Sequence, residues 1–174
     1  TALSLDYAEV EGHRILGEIS MENGRLDKAE QYNDRALWLN PNDPRLHAQK
    51  GELLTWLGAP VEGEGCLRMA IRLDPFSAPM WAHLLGRSLL QQGRHEEAIE
   101  AYSSSSFPRF GYHADMAGCY AKLEMNAEAE ERVAEVLRLK PNFSIAEYVA
   151  QLAYKYEPDR ERHRSLLETA PLPD

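Results

Sequence analysis

The chain has 174 residues, 44% hydrophobic and 27% charged, with a formal net charge of −9. This composition suits one folded domain. The acidic balance argues against nucleic acid as a partner, which needs a basic face, and no apolar run is long enough for a membrane span or shaped like a signal peptide.

Taken in chain order, the residues repeat. Pro41 and Pro75 stand 34 residues apart, and at the same interval Gly17 is matched by Gly51, Gly24 by Gly58, Ala36 by Ala70, and Leu39-Asn40-Pro41 by Leu73-Asp74-Pro75. A fixed interval of this length marks stacked helix–turn–helix units. Each unit reads as helix A, a glycine turn, helix B and a terminal proline. The first spans 10–43, with Leu5 to Val10 extending its first helix backwards, and the second spans 44–77. The third, 79–109, starts one residue late and keeps Gly86, Gly93, Ala98 and Tyr102 in register. Its second helix is predicted to stop early at Ser103–Ser106 and Pro108, since serines compete for backbone hydrogen bonds and proline cannot continue the ladder. That break is expected to change the stacking angle of the fourth unit, 110–144, which closes on Leu139-Lys140-Pro141. There Glu124 stands where the turn glycine was.

Two segments follow. Phe143 to Leu152 has the pattern of an amphipathic helix. Tyr156-Glu157-Pro158-Asp159 opens a last helix reaching about Thr169, with proline and acids suited to a first turn. Residues 145–170 are expected to cap the last unit, because solenoid ends expose apolar faces. No stretch alternates at period two, so no strands are predicted. The expected fold is an all-α α-solenoid of about four units plus C-terminal capping helices, forming a single domain over 1–174.

Across Val10 to Pro141 the repeats resemble the tetratricopeptide repeat family. A narrower resemblance rests on GHRILGEISMENGRLDKAEQYNDRALWLNPNDP, on the truncated third unit, and on LRLKPNFSIAEYVAQLAYKYEPDRERHRSLLETAPLP. These are similar to the C-terminal repeat region of bacterial multidomain class III adenylate/guanylate cyclases and related winged-helix regulators. The chain has no room for a cyclase domain. The resemblance therefore implies a non-catalytic, cytoplasmic interaction region of a larger bacterial signalling protein and carries over no catalytic residue. A free-standing adaptor is the alternative.

The resemblance also implies a concave groove lined by helix A. The register assigns to it Arg14, Glu18, Met21 and Glu22 from the first unit, Arg45, Gln49, Glu52 and Trp56 from the second, His83, Arg87 and Gln91 from the third, and Lys122 from the fourth. Mixed charge with a large aromatic suits a protein or peptide ligand, and arginine and tryptophan are favoured anchor types. Chaperone-binding members of the family grip a C-terminal carboxylate at fixed helix A slots. Here those slots hold Arg14, Glu18, Gln49, Met80 and Leu84, of which only Arg14 is suitable, so that ligand is disfavoured.

No catalytic, cofactor or metal site is expected. His13, His47 and His113 are equivalent scaffold positions one unit apart, whereas metal ligation needs convergence. Cys66 and Cys119 lie in different units without metal-type or disulfide-framework spacing and read as reduced thiols in or near the core. Arg160, Arg162, His163 and Arg164 are expected to form a solvated helix face, and Trp38 to lie on the outer face or against a loop, packed rather than exposed as a self-association surface. The apolar ends of a solenoid leave a homodimer open.

Overall fold

A computed structural model describes residues 2–106 and 109–174, with side chains from residue 7 onward. Pro108, expected to close the third unit, lies outside the described residues. Those described form ten α-helices and no strand. The helices are α1 (Ala2–Glu22), α2 (Leu26–Leu39), α3 (Pro44–Trp56), α4 (Pro60–Leu73), α5 (Ala78–Gln91), α6 (His95–Ser103), α7 (Phe110–Lys122), α8 (Asn126–Leu139), α9 (Ile145–Ala150) and α10 (Glu157–Leu167). Helices α1 to α8 pair in sequence, and each pair stacks on the next.

Local chemistry explains the punctuation. Gly24, Gly58 and Gly93 end α1, α3 and α5 with φ of 68°, 80° and 74°, where glycine carries no steric penalty. Glu124 ends α7 in the same conformation, at φ 61°. Asp43 caps α3 by accepting from Arg45 N at 2.9 Å, with Pro44 in the first turn. In the second pair the backbones nearly touch. A Cβ on Gly51 would stand 2.7 Å from Gly63 O, and one on Gly63 would stand 2.7 Å from Gly51 O. Helix α6 stops at Ser103, after 9 residues where α2 and α4 have 14, as the serine run predicts.

The main core runs from the second pair through the third to α7, with Leu67, Ala70, Leu84, Leu85, Leu89, Tyr102 and Cys119 packed together. Both cysteines are free, and burial pushes each thiol up. Helix α9 is shorter than its apolar pattern, because Ser144 caps its start and the chain leaves helical geometry after Gln151.

The C-terminal segment does more than cap the last pair. Ala170 and Leu172 cover Ala117 and Val133, as a cap would. Between α9 and α10, however, the chain runs back across the helix A face. Tyr154 packs with Leu26, Leu53 and Trp56, and Lys155 N donates to Trp56 O at 2.9 Å. Lys155 Nζ also reaches Asp27 at 2.7 Å, closing a loop of 128 residues.

Trp38 is 72% exposed, with the Arg35 guanidinium over its ring, so it does not pack on a neighbour. Its neighbours Leu37 and Leu39 pack on Val10, Ala36 and Leu46, and Trp38 lies on the outer side of α2. The basic cluster is also not a uniform solvated face. His163 is fully buried, and Arg160 turns inward to donate to the carbonyls of Val149, Leu152 and Tyr154 at 2.9–3.0 Å. Arg162 instead bonds Asp159 at 2.8 Å and Gln91 Oε1 of α5 at 3.2 Å, and Arg164 pairs with Glu161 along α10.

Candidate functional site on the helix A face

The returning segment is held by a buried polar chain. Asp115 of α7 has no exposed surface and accepts from Tyr102 Oη at 2.6 Å, Tyr148 Oη at 3.0 Å and His163 Nε2 at 2.8 Å. Tyr154 Oη accepts from Gln91 Nε2 at 2.5 Å and lies 2.9 Å from His163 Nδ1. Burial alone would raise the Asp115 carboxyl. His163, Arg87 and Tyr102 outweigh it and hold the group below the usual carboxylate range. With Asp115, Tyr102, Tyr148, Tyr154 and His163 each hydrogen-bonded, the segment is a fixed wall rather than a loose tail.

Beside that wall a cavity of about 520 Å³ stays open. Glu18, Met21 and Glu22 line it from α1, Glu52 and Trp56 from α3, Arg87 from α5, and Arg109 from the start of α7; Gln151, Leu152 and Ala153 close it. The acids come from the first and second pairs and the arginines from the third and the start of the fourth. The Arg87 guanidinium lies 4.9 Å above the Trp56 ring and 3.8 Å from Asp115. Burial, helped by Glu18, pushes the Glu52 carboxyl up against the opposing pull of Arg87 and Trp56. His83, stacked on Tyr112 at 4.9 Å, is lowered to about 4 by burial and by the charges of Arg87 and Arg109.

The cavity thus brings together six of the residues read from the register: Glu18, Met21, Glu22, Glu52, Trp56 and Arg87. The others lie elsewhere. Arg14 bonds Glu11 and Glu18 along its own helix. Arg45 pairs with Asp43 and Glu11, and Gln49 joins α3 to α1 through Arg14 O at 3.0 Å. Gln91 is sealed beneath Tyr154, and His83 belongs to the ring stack beside the groove. Lys122 lines a separate dimple with Leu90, His95, Arg162 and Leu166. Arg109 and the Gln151–Ala153 wall were not legible from the helical register. Gly111 and Gly118, which stand outside the repeat pattern, make room for α9 and α10: a Cβ there would stand 2.8 Å from Tyr148 Oη and 3.0 Å from Leu166 Cγ.

Among the described residues no three His, Cys, Asp or Glu side chains gather as metal ligands, and no helix is long and apolar enough to cross a membrane.

Comparison with known proteins agrees with this architecture. The chain is 35% identical over 103 residues to the cytochrome c-type biogenesis protein CycH of Rhizobium meliloti (strain 1021), which covers 58% of this chain and 27% of that protein. It is 27% identical over 97 residues to small glutamine-rich tetratricopeptide repeat-containing protein 2 of Mycosarcoma maydis, covering 56% of this chain and 27% of that one. The chain therefore spans about a quarter of the length of the curated relatives it matches. Among solved structures, Pseudomonas aeruginosa pilF superposes with a TM-score of 0.69 at 20% identity, covering 94% of this chain and 77% of that one. MamA gives 0.65 at 19% over 92% and 89%, and YrrB, described as a TPR protein with an unusual peptide-binding site, gives 0.62 at 17% over 90% and 82%. These structural likenesses show the fold. The sequence profile of the tetratricopeptide repeat matches residues 1–44 and 62–108, and the chain belongs to the tetratricopeptide repeat family.

Proposed function

We propose that this chain is a non-catalytic protein-interaction module that holds a partner peptide in the open part of the helix A groove. The observation that carries the reading is the cavity beside Gln151–Ala153, with an acidic side at Glu18, Glu22 and Glu52 and a basic side at Arg87 and Arg109. Its walls are preformed helices and a pinned segment, so binding loses little ordering entropy. Trp56 offers an aromatic floor with a guanidinium already stacked on it, the kind of anchor that dominates interfaces. The resemblance of the tail and truncated third unit supports a place within a larger bacterial, cytoplasmic signalling protein. A free-standing adaptor is the second reading, favoured by solved structures of similar extent such as MamA, 89% of whose chain is covered.

The test is a selection from a random peptide library on the intact chain, followed by titration of the selected peptides against variants. Met21→Ser and Arg109→Ala are expected to weaken binding by about tenfold each, because both line the cavity without joining the Asp115 chain. Selected peptides that bind these variants as tightly as the parent chain would sink the groove as the site.

A further inference from the structure

Arg87 lines the groove cavity with donors that the fold does not use. Its side chain is 11% exposed, and its guanidinium lies 4.9 Å above the Trp56 ring. Its Nε is buried with no hydrogen-bond partner. Asp115 stands 3.8 Å from a terminal nitrogen, beyond a hydrogen bond, and both carboxylate oxygens already accept from Tyr102, Tyr148 and His163. Asp115 therefore answers the charge of Arg87 without filling its donors. Glu52 is within electrostatic reach of Arg87, but no ion pair or hydrogen bond joins the two among the described residues. A guanidinium carries its N–H donors in a fixed fork, and among the described residues no carboxylate or carbonyl accepts from this one.

Arg109 lines the same cavity and is exposed, and no acid among the described residues pairs with it. Both guanidinium groups act on one imidazole. Burial, Arg87 and Arg109 together lower His83 to about 4, so that ring adds no positive charge at neutral pH. The two arginines, one from α5 and one from the start of α7, therefore converge on one side of the cavity. On the other side the acids stand differently. Glu18 accepts from Arg14 at 3.0 Å, whereas Glu22 and Glu52 have no ion pair among the described residues.

Charge and reach decide what fits. A recessed fork with unused donors favours an acceptor of matching planar shape, which is a carboxylate. Because Arg87 is recessed, that carboxylate has to arrive on a stem. Met21, Leu152 and Ala153 line the same cavity and give the methylenes of such a stem an apolar path. A dianionic phosphate or a run of acids would bring further negative charge against Glu22 and Glu52. We infer that the groove selects a peptide with one internal glutamate or aspartate, whose carboxylate is held between Arg87 and Arg109, and with neutral or basic residues on either side of it. This rests on the reading of the cavity as a peptide site and names the group recognised there.

The experiment uses the full chain and the peptides that it selects from a random library. Each selected peptide is remade with its acid replaced by the corresponding amide, with phosphoserine in the acid's place, and with an amidated C-terminus. Calorimetric titration is expected to show the amide and phosphoserine forms binding about tenfold or more weakly, with no effect of amidating the C-terminus. Arg87→Lys keeps a charge beside Asp115 and removes the fork, and Arg109→Ala changes an exposed side chain. In either variant the penalty for the amide peptide is expected to shrink to about twofold or less, since the carboxylate has already lost a partner. Thermal unfolding reports whether each variant keeps its fold; if Arg87→Lys loses stability, the Arg109→Ala cycle decides alone. Selected peptides without an acid, undiminished binding of the amide form, or an unchanged penalty in Arg109→Ala would each overturn the inference. So would tighter binding of the phosphoserine form or dependence on a free C-terminus. Met21→Ser separates the two readings. If it weakens binding while the amide form binds fully, the groove stands and the carboxylate assignment falls. If neither Met21→Ser nor Arg109→Ala weakens binding, or no peptide is selected, both fall.

Discussion

Asp115 shows how one buried carboxylate organises a surface that belongs to another part of the chain. It collects two phenols, an imidazole and the nearby Arg87, and three of its neighbours, Tyr148, His163 and Arg87, link the returning segment to α5 and α7. Because its folded pKa is depressed, it contributes stability at pH values above the unfolded value near 4. That contribution is lost as pH falls through the folded value. Replacement by asparagine keeps the shape and removes the charge, leaving Arg87 without its buried counter-ion. We expect Asp115→Asn to cost about 3 kcal/mol at neutral pH. It should also flatten the acid limb of the stability profile. Urea titrations at neutral pH and below pH 4 check both effects, and equal midpoints for variant and parent at neutral pH would refute the assigned role. Nothing in the sequence pointed to this site: Asp115 sits at a register position held by leucine in the third unit, and its partners Arg87, Tyr102, Tyr148 and His163 come from four other helices.

At the scale of elements, much was legible because the period is written in local chemistry. Gly24, Gly58 and Gly93 mark turns that only a left-handed residue closes, and prolines mark helix starts and ends. Glu124 breaks that rule yet takes the same conformation at φ 61°. The stacking of α7 on α8 dictates the turn, and the glutamate accepts the strain. Glu124→Gly should therefore stabilise the protein by about 1 kcal/mol, the penalty of one left-handed non-glycine residue. A higher urea midpoint with an unchanged slope is the expected result; a lower midpoint would mean that the Glu124 side chain makes a compensating interaction. Boundaries were less legible where the pattern is apolar but the ends are polar. FSIAEYVAQL reads as one helix, but Ser144 caps it late and Arg160 draws the carbonyls of Val149 and Leu152 out of the ladder.

For the whole molecule, the returning segment changes what a solenoid ordinarily is. Stacked repeats touch only their neighbours, so folding can break between units. Here Lys155 and Tyr154 tie the first two pairs to the end of the chain, through Asp27, Trp56 and the ring contact of Tyr154 with Trp56 at 4.8 Å. No periodicity could reveal this contact, since it joins residues of no common register across most of the chain. That is why the residues the register assigns to helix A do not all reach the cavity: the segment seals Gln91, leaves Trp56 as floor and supplies a wall of its own. The tie should make unfolding more cooperative than a string of repeats allows. Tyr154→Ala removes a buried ring that meets Leu26, Leu53 and Trp56, and also ends the bond from Gln91. Its cost is expected to be about 3–5 kcal/mol. Beyond that loss, it should uncouple the first two pairs from the rest. Urea unfolding followed by tryptophan fluorescence and by circular dichroism should then give two non-coincident transitions where the parent chain gives one. A variant that loses stability but keeps one coincident transition would show that the segment merely packs on the solenoid without binding its two ends into one unit.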